Sequence, residues 1–61
     1  MNKDEAKKQL GVYIHNLALV TNDLAEYLGI LKRNNIEFDE KMIDEVTKIQ
    51  DAIVQLDQLN F

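Results

Sequence analysis

Side chains able to do chemistry are few in this chain. One histidine, His15, two threonines, Thr21 and Thr47, two tyrosines and eleven carboxylates stand in a sequence without cysteine or serine. That excludes disulfides, thiolate metal sites, and serine or cysteine nucleophiles. His15 has no Glu-x-x-His or His-x-x-x-His companion, so it lacks the second ligand that a helical zinc site needs; on a helical wheel it falls beside Lys8 and Glu26 and reads as a solvated residue. Neither threonine has a base at a useful spacing. Gly11 and Gly29 lie eighteen residues apart and cannot form a loop that cradles phosphate. Glu40, Asp44 and Asp51 share one side of the second half of the chain. Carboxylates so placed could hold a divalent ion, imitate a nucleic-acid backbone or serve as an acid/base pair. On a helix, however, they stand about 6 and 10 Å apart along the axis, and no loop gathers them. They read as a solvated face and, next to that, as an acidic patch for a partner protein. No catalytic residue, cofactor site or metal site is assigned.

The charge balance points the same way. Eleven acidic and seven basic residues give a net charge of −4 and a pI near 4.7. Phosphate backbones and anionic membranes both call for a basic patch, so nucleic acid is an unfavoured partner and a membrane is excluded. The charge is also unevenly divided. Residues 1–34 carry five basic and four acidic side chains, net +1, whereas residues 35–61 carry two basic and seven acidic, net −5. A partner docked on the second half should therefore offer Lys or Arg. No apolar run nears the roughly 18 residues of a membrane span, and the acidic N-terminus leads into no signal core. The expected location is cytoplasmic.

The elements that carry these residues are legible as two helices in a single domain covering 1–61. Leu10, Leu17, Leu24 and Leu31 recur every seven residues, interleaved by Ala6, Tyr13, Val20 and Tyr27, with Ile14 and Leu28 widening the stripe. The spacing predicts a helix over about 3–34. Asn2 and Glu5 suggest a capping box at its start. Lys32 and Arg33 suit its last turn, and Asn35 can take the left-handed conformation that closes it. Asp39 predicts the next N-cap, with Phe38 and Ile43 spaced as a hydrophobic staple. Met42, Val46, Ile49, Ile53 and Leu56 then define a helix over about 39–60, with Asp44 and Lys48 as an i,i+4 pair. The link at 35–38 is short, so the helices must be antiparallel neighbours. In that register Leu31 faces Met42, Leu24 lies near Ile49, and Leu17 lies near Leu56. The expected fold is an all-α two-helix hairpin with heptad packing, self-associating into a four-helix bundle. The alternative is a three-helix bundle, were Asp23-Leu24-Ala25-Glu26 to cap a new helix.

A hairpin needs one apolar face per helix, and this sequence has more. Val12, Leu19 and Ile30 cluster opposite the leucine stripe. Gly11, Ala18, Ala25 and Gly29, with Asn22, form a strip of mostly small residues where another helix could approach closely. Ile43, Val54 and Phe61 share a side of the second helix, off its core line. Extensive exposed apolar surface is rare on monomers, so these faces are candidate interfaces for a second copy or another protein.

Two resemblances accompany this pattern. A hairpin of about 60 residues with heptads resembles the Rop-like plasmid copy-number regulators, which implies pairing into a four-helix bundle and RNA binding. Gln55-Leu56-Asp57-Gln58-Leu59 resembles the second-helix signature of the small aspartyl phosphatases that act on sporulation regulators, with Asp57 as the key carboxylate. Ile53 stands where that family has its serine. The function expected from the residues themselves is a small non-enzymatic regulator or adaptor, like a phage- or plasmid-type modulator of a host protein, acting through a helix face. The alternatives are a nucleic-acid-binding hairpin dimer using Lys3, Lys7, Lys8, Lys32 and Arg33, and a small phosphatase-like protein.

Overall fold

The computed structural model describes residues 1–59. Two helices, α1 (Lys3–Arg33) and α2 (Lys41–Gln58), pack against each other as an antiparallel hairpin. At 1.5 Å per residue they are about 46 and 27 Å long. The molecule is accordingly a rod with extents of 50 × 15 × 12 Å. Helix α1 runs unbroken through Asp23, so the architecture is the hairpin and not a three-helix bundle. No described helix is long and apolar enough to cross a membrane.

Local chemistry sets the helix ends. Asn2 has an extended backbone, and its Oδ1 accepts the Glu5 amide N–H at 2.8 Å while its Nδ2 donates to Glu5 Oε1 at 3.4 Å. The first of these bonds is the capping half of the expected box; the return bond of Glu5 goes to the Asn2 side chain and not to its backbone N–H. At the other end Asn35 has φ 59°, in the left-handed region. The Ile36 N–H then donates to the Leu31 carbonyl at 3.0 Å and the Asn35 N–H to the Lys32 carbonyl at 3.2 Å. Those two bonds satisfy carbonyls that a helix terminus leaves orphaned. At α2, Glu40 flanks the helix but makes no side-chain cap; Asp39 Oδ1 accepts the Lys41 N–H at 3.0 Å and performs the capping. Lys32 meets Glu40 across the turn at 3.5 Å, an exposed pair that adds little stability. The expected Asp44–Lys48 pair is replaced: Lys48 reaches Glu45, one turn back on the other side, at 3.0 Å. The α2 helix ends at Gln58; its expected extension to Asn60 lies outside the described residues.

The register agrees with expectation but the rotation of α1 does not. Gln50 Nε2 donates to Asn22 Oδ1 at 3.3 Å, which aligns the helices within a residue of the expected Leu24–Ile49 pairing. The buried side chains are Ile14, Thr21 and Leu28 on α1 and Val46 and Ile53 on α2; all but Thr21 belong to the expected stripes, but they lie at one edge of them. Leu17 and Leu24, expected inside, are 46 % and 44 % exposed, and Ile49 is exposed as well. Tyr13, Val20 and Tyr27 are more exposed still. Relative to the leucine line, the buried line of α1 is turned by about 50°, at 100° per residue. The half-buried Ala18 and Ala25 lie between Ile14, Thr21 and Leu28 on this rotated face. Their short side chains let the helix axes approach, and the branched Ile14, Val46 and Ile53 fill the space. Thr21 can be buried because its hydroxyl donates to the Leu17 carbonyl at 2.7 Å and leaves no polar atom unpaired.

The turn yields the first predictions. Asp39→Ala removes a capping acceptor and should lower stability by about 1 kcal/mol in urea unfolding. Asn35→Gly should leave stability equal or slightly higher, because Gly enters the left-handed region without a Cβ penalty. A loss above about 1 kcal/mol for Asn35→Gly would contradict the positive φ at this position.

Candidate protein-interaction surface

Each helix carries two apolar lines, three or four residues apart. On α1 they are Ile14-Thr21-Leu28 and Leu10-Leu17-Leu24-Leu31. On α2 they are Val46-Ile53 and Met42-Ile49-Leu56. The hairpin buries the first line of each helix and leaves the second largely uncovered, Leu31 alone being half-buried. In both helices the second line is offset from the first in the same rotational sense. Because the helices are antiparallel, equal offsets bring both uncovered lines to one side of the rod. A groove lined by Leu24, Leu28, Met42 and Val46 joins them.

On the other side of the seam, the small-residue strip is taken up within the chain. Ala18, Ala25 and Gly29 are half-buried, and the strip borders α2 beside Ile43, Gln50 and Val54. Ala18, Ala25, Gly29, Ile43 and Val54, expected to face a separate partner, thus flank the intramolecular seam. Neither glycine is required for close approach. A Cβ at Gly11 would meet nothing within 4 Å, and one at Gly29 would meet only the flexible end of Arg33 at 3.7 Å. Val12, Leu19 and Ile30 are exposed on α1, on the side away from α2. Phe61 lies outside the described residues.

The polar candidates remain dispersed. His15 and Asp57 border one shallow depression together with Ile14, Ala18, Ile53 and Val54. Among the described residues, no three His, Asp or Glu side chains gather as a metal ion would require. Glu40, Asp44 and Asp51 are exposed along α2, Glu40 being engaged by Lys32. Both threonine hydroxyls donate to backbone carbonyls one turn back, Thr21 to Leu17 and Thr47 to Ile43. Lys8 and Lys32 are separated by 24 residues of one straight helix, about 36 Å, so the basic side chains of α1 form two end groups and no single patch. Sequence reasoning missed the Leu17-Leu24-Met42-Ile49 surface because it assigned those residues to the core. The available signal was the second apolar line on each helix, which a single seam cannot absorb. Comparisons with protein families, curated proteins and solved structures find no match to this chain.

The position of the strip can be tested. Ala25→Leu should overfill the seam and cost about 1–3 kcal/mol in thermal or urea unfolding. Gly11→Ala, which meets open space, should instead stabilise by about 0.5–1 kcal/mol through helix propensity. If Ala25→Leu proved as benign as Gly11→Ala, the small strip would not face α2.

Proposed function

We propose that this chain is a small non-enzymatic regulator or adaptor, comparable to phage- or plasmid-type modulators, that works in the cytoplasm by laying a helix face on another polypeptide. The observation that supports this reading is the arrangement of its apolar surface. Side chains of the size that dominate interfaces lie in ordered lines on two sides of the rod: the Leu17-Leu24-Met42-Ile49 side, and the Val12-Leu19-Ile30 side of α1. Scattered surface hydrophobes need no explanation, but contiguous lines of them mark places where another chain excludes water. Binding would occlude or stabilise the partner's surface, as amphipathic helices do when they seat i, i+3, i+4 and i+7 anchors in a groove. The exposed carboxylates Asp44 and Asp51 on α2 favour a partner with basic residues at its rim.

The test is a single substitution on the far side of α1. Leu19 is half exposed and distant from the seam, so Leu19→Asp should retain the helical circular-dichroism spectrum. In affinity capture from the native cell extract, a protein retained by the wild-type chain should be lost with Leu19→Asp, because binding would desolvate the new carboxylate. Identical captured proteins for both chains would remove the Val12-Leu19-Ile30 line from the binding surface. Capture of nothing by the wild type would oppose the proposed function itself.

A further inference from the structure

The geometry points to a second copy of this chain as the occupant of the face formed by Leu10, Leu17 and Leu24 of α1 and Met42, Ile49 and Leu56 of α2, two hairpins closing together into a four-helix bundle. This rests on the reading of the apolar lines as protein-binding surface and adds the partner and the face. Three observations carry it. First, these six side chains are each between 39 % and 50 % exposed, and Tyr13 and Tyr27 at their edge are 65 % and 56 % exposed. Together they present on the order of 800 Å² of apolar surface, which is what one partner brings to an interface of standard size. Second, the pattern within each helix is that of a four-helix core. Helices in such a bundle bury two lines of a heptad toward a shared centre, whereas this hairpin buries only one. The missing contacts are therefore two more helices in antiparallel partnership, and a second hairpin supplies them with the same length and spacing. Third, the charge is arranged to permit like to meet like. The chain carries −4 overall, yet Glu40, Asp44 and Asp51 fall on the other side of α2 from Met42, Ile49 and Leu56. Two copies can join through this face without apposing their acidic stripes. The contact would be two-fold symmetric, so every side chain on it counts twice.

Sedimentation equilibrium and tyrosine fluorescence test the inference together. The wild-type chain should sediment at about twice its 7.1 kDa mass at tens of micromolar and dissociate on dilution. Leu17→Asp should raise the dissociation constant by roughly 30-fold or more, since symmetry places two carboxylates in the closed core. Leu56→Asp, on the other helix, should do the same, while Leu19→Asp should keep the doubled mass. A readout that needs no disruptive variant protects against loss of folding. There is no tryptophan, so Tyr27→Phe leaves Tyr13 as the sole fluorophore, and its quenching by acrylamide should fall as the protein associates. A wild-type monomer with a cooperative thermal transition would overturn the inference while leaving the capture of another protein intact. So would a dimer abolished by Leu19→Asp and kept by Leu17→Asp, or Tyr13 quenching that does not change with association.

Discussion

Two antiparallel helices touch along one line, and that limit governs this molecule. A helix presents its side chains every 100°, so a single neighbour covers only a narrow sector of its surface. In this hairpin the covered sector holds Ile14, Thr21 and Leu28 on one side and Val46 and Ile53 on the other. Those five residues, one of them a threonine, are the whole buried set among the described residues. Folding must offset the conformational entropy of nearly 60 ordered residues with that core, which is slender even by the standard of small domains. The remaining apolar residues are numerous enough to build a second layer, and it is their placement that connects the fold to binding.

The ends of the helices and the register were legible in the sequence, because each is decided by local chemistry. Asn2 satisfies the Glu5 amide that the helix start leaves open. Asn35 tolerates a positive φ, and Asp39 supplies an acceptor at the next start. Once those points are fixed, a link of a few residues leaves little freedom in how α2 runs back along α1. The rotation of α1 was legible only in part: Ile14 and Leu28 stood at the edge of the expected stripe, whose centre was set on the leucine line, and the reason is physical. Leu10-Leu17-Leu24-Leu31 and Ile14-Thr21-Leu28 have the same period, so periodicity cannot rank them. The leucine line is the more hydrophobic of the two, and a reading by hydrophobicity alone places it inside. What decides the seam is fit: Ala18 and Ala25 beside Ile14 and Thr21 allow close approach, and Thr21 hides its polarity in its own helix. Hydrophobicity says how much a residue gains from leaving water, not which neighbour removes it.

The same distinction bears on the small-residue strip. Small residues at intervals of four and seven invite a close helix, and the strip from Gly11 through Ala18, Ala25 and Gly29 was assigned to an external one. The nearest helix is α2 itself, held there by a turn of few residues at a high effective concentration. An intramolecular helix occupies such a strip before any free partner can. The large side chains displaced from the seam, Leu17, Leu24 and Ile49, then take over the outer surface. Core and surface thus differ from the expected arrangement by a modest rotation of both helices, with no change in secondary structure.

Electrostatics adds direction to this arrangement. Helix α1 and its flanks are close to neutral, whereas the segment containing α2 carries most of the acid. Asp44 and Asp51 are exposed, away from both apolar lines of α2, and among the described residues the one ion pair joining the two halves of the hairpin is the exposed one between Lys32 and Glu40. Surface charge of this kind contributes little to holding the hairpin together. Its larger effect is on encounters. An acidic stripe repels nucleic acid and other acidic surfaces and steers basic ones, with an effect that salt screens over roughly 10 Å. The leucine face lies outside that stripe, with Asp39, Lys41 and Glu45 bordering only the groove near the turn, and burial of its apolar side chains would depend on excluded water, which salt does not screen. A molecule with these two surfaces can use one for tight packing and the other for selection, and the two properties can change independently, since no residue belongs to both.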